Sequence, residues 1–140
     1  MHQRGRRLFA VLALAFLVVP LLAACGGSGA VNADVKSYEI DLAKSSVSAG
    51  QTTFHVSNVT TDNETHEFVI VKTDLDSGDL PTDADGNVDE DQISVVDEVE
   101  DLEPGNSEDL TVNLDPGHYV IMCNVEGHYK QGMHTNLTVQ

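Results

Sequence analysis

Two short runs limit what this chain can fold into. HEFVIV (66–71) and YVIMC (119–123) are apolar at nearly every position. Side chains of a strand alternate between faces, so each run must be covered on both sides, as in a central strand. Other segments alternate: SYEIDLA (37–43), TTFHVSNV (52–59, with Phe54, Val56 and Asn58 on one side), LTVNL (110–114) and TNLTV (135–139). The turns EPG (103–105) and DPG (115–117) bracket the 110–114 run, and SAG (48–50) precedes 52–59. No stretch carries a long helical period. Short strands at this spacing predict an all-β chain, a β-sandwich with Greek-key connections. A length of 140 residues allows one such domain with one core.

The N-terminus belongs to a different category. Arg4, Arg6 and Arg7 precede the apolar run LFAVLALAFLVVPLLAA (8–24), and small residues follow it. A basic start, a short apolar run and a small-residue end describe an export signal. At 17 residues, with Pro20 inside, the run is short for a bilayer span. Leu22-Ala23-Ala24-Cys25 resembles a bacterial lipobox, which implies cleavage before Cys25 and lipid on its thiol. RRLF (6–9) also resembles a twin-arginine export signal. The expected organisation is a signal at 1–24, a lipidated Cys25 with a flexible linker over 25–36, and a domain at 37–140. The expected location is the outer face of the cytoplasmic membrane or the periplasm.

Losing the signal removes every Arg. Four Lys then face 23 acidic residues, a formal charge of −19. Such a surface repels nucleic acid and anionic headgroups, and suits a partner with a basic docking face, a salty medium, or solubility alone. Residues 73–92, TDLDSGDLPTDADGNVDEDQ, form an acidic insertion long enough to be functional or mobile. Its Asp83, Asp85, Asn87 and Asp89 alternate as calcium ligands can. An EF-hand loop wants Gly sixth and Glu twelfth, where Val88 and Ser94 stand, so a solvated turn is expected.

The chemistry lies near the C-terminus. In CNVEGHYKQGM, Cys123, His128 and Met133 are evenly spaced. If Cys25 carries lipid, Cys123 has no disulfide partner, and an exported free thiol is either buried and inert or bound to a metal. Cys123 ends one central strand. His66 opens the other and can point into the same end; His55 is its mid-strand rival. Met122 competes with Met133 but, adjoining Cys123, faces the other way. Two imidazoles, a thiolate and a distant thioether suit copper and its one-electron couple, whereas structural zinc gains nothing from Met.

PGHYVIMCNVEGHYKQGM (116–133), with HEFVI (66–70), resembles the type 1 copper site of the cupredoxin family, which includes plastocyanin, azurin and the rusticyanin-like proteins. The four-residue gaps resemble the longer-loop members. The resemblance implies one copper ion, His66, Cys123 and His128 as equatorial ligands, and Met133 as the axial one. It also implies that Asn124 helps tie the two ligand loops together, with His118 and His134 exposed or outside the ligand set. The function expected is a membrane-tethered, extracytoplasmic carrier cycling Cu(I)/Cu(II), monomeric, serving redox protein partners. The alternative is copper storage or delivery, which tends to use Met clusters or CxxC; this chain has neither. Copper oxidases that resemble cupredoxins place His beside the type 1 Cys. Here the neighbours are Met122 and Asn124, so no catalytic site is expected.

Overall fold

A computed structural model describes residues 29–140. The expected signal at 1–24 and the lipidated Cys25 lie outside the described residues. Nine strands form two sheets: β1 (Gly29–Lys36), β2 (Glu39–Leu42), β3 (Ser46–Val47), β4 (Gly50–Asn58), β5 (His66–Lys72), β6 (Val95–Leu102), β7 (Ser107–Leu114), β8 (Gly117–Met122) and β9 (His134–Val139). One sheet runs β2-β1-β4-β7, the other β3-β9-β8-β5-β6. β1 is parallel to β4 and β3 to β9; the other pairs are antiparallel. The fold is an all-β sandwich. Among the described residues no helix is long and apolar enough to cross a membrane.

Between the sheets lie Val31, Val35, Phe54, Val56, Phe68, Ile70, Leu114, Tyr119, Ile121 and Leu137, all essentially inaccessible. Each contributing strand alternates, so every second residue enters this layer. At about 25 cal/mol per Å² of apolar surface, a fully buried Val or Leu contributes about 1.5–3 kcal/mol.

A second apolar layer explains the two runs that are apolar on both faces. Phe68 and Ile70 of β5 and Tyr119 and Ile121 of β8 face the sandwich core. Val69, Val71, Val120 and Met122 face outward, where they pack against Leu80, Val88 and Tyr129, with Ile93 and Val95 alongside. The acidic insertion is therefore a cover for the outer face of β5 and β8. Leu80 and Val88 turn inward, while Leu75 and most of the carboxylates face solvent.

Two expectations need correction. The linker expected over 25–36 is a strand from Gly29 onward. Val31, Ala33 and Val35 face the core while Asn32 and Asp34 face out, and β1 takes a full parallel register on β4, from Gly29 opposite Thr52 to Val35 opposite Asn58. Small and polar residues after GGSG hid this alternation. The adjoining run at 37–43 begins as strand only at Glu39, because Tyr38 sits in a turn at φ 60°. The sequence reading also gave no strand at 95–102, where β6 lies. Its pairing with β5 shifts register between His66 and Phe68, and Asp101 is left-handed at φ 49°. The irregularity spaces buried Val99 and Leu102 three apart, which destroys the period of two.

Candidate metal centre

The ligand end of the sandwich is built from two chain segments. His66 is the first residue of β5, and the loop before it is shaped by buried Asn58. The Asn58 amide donates to the carbonyls of Glu64 (3.0 Å) and Leu102 (2.8 Å). Cys123 follows the last residue of β8. Between Cys123 and β9 the chain folds back on itself. Gly127 is left-handed at φ 80°, His128 opens a short 3-10 turn (Tyr129–Gln131), and Gly132, at φ 101°, ends it. Both glycines occupy backbone conformations that other residues rarely adopt.

Backbone hydrogen bonds then tie together three of the residues singled out by the sequence. The Cys123 N–H donates to the Met133 carbonyl (3.0 Å), and the Met133 N–H donates to the His128 carbonyl (3.1 Å). His66, Cys123 and Met133 are fully buried, and His128 is 6% exposed. Nδ1 of His66 lies 3.3 Å from Nδ1 of His128, and Cys123 Sγ lies 3.4 Å from that same His128 nitrogen. The donor atoms of His66, Cys123 and His128 all fall within 4.8 Å of one another.

This triangle fits a metal ion. With first-row bond lengths of about 2.0–2.1 Å to nitrogen and about 2.3 Å to sulfur, both contacts would open to roughly 100–110° at the ion. Two imidazoles and a thiolate match copper's preferences. The protonation states fit as well. Burial, aided by neighbouring His128, lowers the His66 pKa below the usual imidazole value against the pull of Glu64, so the ring is a neutral donor. Burial pushes the Cys123 thiol up to about 11. A cation entering the site must therefore displace the thiol proton.

The surroundings fix these donors. The Glu67 backbone N–H donates to Cys123 Sγ (3.3 Å), joining the His66 segment to the Cys123 segment. The Tyr38 ring stands edge-on to the His128 ring, with centroids 5.5 Å apart at 88°. Neither contact was anticipated. Glu67 is legible in retrospect as the residue after a candidate ligand, whereas nothing in the sequence marks Tyr38.

The Asn124 side chain makes a different contact from the tie that the resemblance implied. It reaches the acidic insertion rather than the His66 loop. It accepts from the Val88 N–H (2.7 Å) and donates to the Val88 carbonyl (3.1 Å) and to Glu90 Oε1 (2.7 Å). The Glu67 amide ties the two ligand segments through Cys123 Sγ, and the Asn124 backbone, rather than its side chain, meets the Glu67 carboxylate. The rivals fall away from the cluster. His55 is exposed and pairs with Asp109 across β4 and β7, and Met122 lies in the outer layer. His118 donates to the Thr73 carbonyl (2.9 Å), and His134 packs on Tyr129. Calcium fares no better, since Asp83 Oδ1 is occupied by the backbone N–H groups of Asp85, Gly86 and Asn87.

The model of copper-binding proteins of the plastocyanin/azurin family matches residues 28–140. The chain belongs to that family. Its cofactor is copper, one type 1 ion. Among solved structures, dithionite-reduced auracyanin from the photosynthetic bacterium Roseiflexus castenholzii is similar at 26% identity. The match covers 82% of this chain and 99% of that one, with a TM-score of 0.61. An azurin (Az-iso2) from Methylomonas sp. strain J shares the fold at 18% identity, over 81% of this chain and 98% of its own, with a TM-score of 0.58. Reduced rusticyanin does so at 21% identity over 81% of each chain, with a TM-score of 0.57. No curated protein matches this cupredoxin by sequence.

Proposed function

We propose that this cupredoxin is a one-electron carrier held outside the cytoplasmic membrane by lipid on Cys25. In this reading His66, Cys123 and His128 would hold copper, and the buried Met133 would supply a fourth, weaker thioether donor. The observation that carries it is the convergence of one thiol and two Nδ1 atoms inside a chain of a copper-binding family. Copper bound there supplies a one-electron couple, with sulfur favouring Cu(I) and imidazole serving both states.

The chain's residues do the rest. The Glu67 amide and the packed sandwich hold the thiol in place, and the backbone bonds among Cys123, His128 and Met133 limit how far the loop can rearrange. Burial keeps bulky substrates from the donors, so the arrangement suits passage of electrons. His128, buried against Tyr38 yet the one donor of the set with any exposed surface, is the natural point of exchange. The formal charge of −19 on the expected mature chain favours a partner with a basic docking face, because complementary charge raises encounter rates.

Stopped-flow reduction and reoxidation test the carrier reading. The copper-loaded protein should complete repeated cycles without losing metal, and transfer to its partner should slow as salt rises past a Debye length of about 8–10 Å. Ready surrender of copper to an acceptor of moderate affinity would instead favour delivery. A transfer rate that holds or rises with salt would remove the docking argument. The tether is checked by mass spectrometry of the native protein, which should begin at diacylated Cys25. An unmodified Cys25 or an intact 1–24 segment would reject it.

A further inference from the structure

The acidic insertion does more than cover β5 and β8. Six hydrogen bonds cross from it to the loop between Cys123 and Met133. Three belong to Asn124, as described above. A fourth runs from the Gly127 backbone N–H to Asn87 Oδ1 (2.9 Å). The last two use the buried Tyr129 hydroxyl, which donates to the Ser77 carbonyl (2.7 Å) and accepts from the Leu80 N–H (3.0 Å). The insertion's own turn is shaped to make these bonds. Asp83 Oδ1 gathers the N–H groups of Asp85, Gly86 and Asn87, and Thr82 bridges Val88, which presents Asn87 and Val88 to the ligand loop. Gly86 lies so close to the ligand loop that a Cβ on it would meet Lys130 Cδ at 2.7 Å. The two segments are fitted to each other along the insertion's tip.

We propose that the insertion is a clamp on the metal-binding loop, with Asn87 and Asn124 as positioning residues that set where His128 stands relative to Cys123. Asn124 directly follows Cys123, Gly127 directly precedes His128, and Tyr129 directly follows it. The Gly127 bond holds the backbone itself, and the other five hold side chains of residues that adjoin a candidate ligand. The bonds do not involve copper, so the clamp acts before metal arrives and presents the donors in place. Groups that orient metal ligands from outside the ligand set typically govern affinity by about 10–100-fold when removed. The effect on copper rests on the ligand assignment proposed above, while the effect on the loop does not.

Asn87 offers the cleanest test because a conservative variant keeps the acceptor. Asn87→Ala removes the oxygen that receives the Gly127 N–H, whereas Asn87→Asp retains it. In the copper-free protein, amide exchange at Gly127 should accelerate about tenfold or more in Asn87→Ala and stay near the native rate in Asn87→Asp, a tenfold change corresponding to about 1.4 kcal/mol. In the copper-loaded protein, Asn87→Ala should release copper to a chelator about tenfold faster and shift the thiolate-to-copper absorption; Asn87→Asp should restore both. A purely stabilising role would lower the unfolding midpoint and leave exchange at Gly127, the spectrum and the release rate in step with the native protein, which overturns the proposal. Changed exchange with no copper absorption in any variant would keep the clamp and reject the ligand assignment.

Discussion

Cys123→Ala should abolish the intense visible absorption of the copper-loaded protein while leaving its β-rich circular dichroism unchanged. Among the proposed ligands only the Cys123 sulfur is a thiolate, the donor that yields strong charge transfer to Cu(II), and alanine has none. The fold should survive because the substitution removes a single buried heavy atom, at a cost of about 1 kcal/mol. Cys123 belongs to the buried cluster that includes Phe68 and Leu137, so the variant leaves a cavity of one atom in an otherwise intact core. The other cysteine in the sequence is Cys25, expected to be acylated. Retained colour in the variant would mean that the thiolate lies elsewhere and the assignment is wrong.

Met133→Gln should move the reduction potential downward by at least one tenfold step in the one-electron equilibrium, about 59 mV. A thioether is a soft, weak donor that favours Cu(I), whereas an amide oxygen is harder and favours Cu(II). Met133 is fully buried, and its backbone is bonded to both Cys123 and His128, so its replacement cannot swing out to solvent without breaking the loop. Burying the amide costs about 1–3 kcal/mol, which a fold of this size tolerates. An unchanged potential with copper retained would argue that Met133 is not the axial group.

The two chain segments of the centre are legible in the sequence because strand geometry constrains them. Cys123 ends a run apolar on both faces, and His66 begins another. These runs lie side by side as β8 and β5, Val69 opposite Met122. The same alternation excludes Met122, which packs in the outer layer. The first strand was not legible, because Val31, Ala33 and Val35 are spaced by polar residues in a stretch that begins like a tether. β6 was hidden by its irregular pairing, which sets Val99 and Leu102 three apart.

The insertion's role as a cover was not legible for a related reason. Its carboxylates dominate the composition, and the residues that matter structurally, Leu80 and the pair Asn87-Val88, are few among them. Only when β5 and β8 are seen to have apolar outer faces does a cover become necessary. The sequence shows that those faces are buried, but not which segment buries them. Asn124 shows the converse limit. Its role as a tie was anticipated, but a hydrogen-bond partner depends on which segment is adjacent in space, and neither spacing nor family pattern supplies that.

The central claim is that a single copper ion sits between a thiolate and two imidazoles. It is tested most directly by titrating copper-free protein with Cu(II) while recording the visible spectrum. The account predicts an intense absorption that grows to a sharp end point at one equivalent and bleaches on uptake of one electron. Copper binding with no such absorption, or absorption that continues to grow well beyond one equivalent, would contradict it.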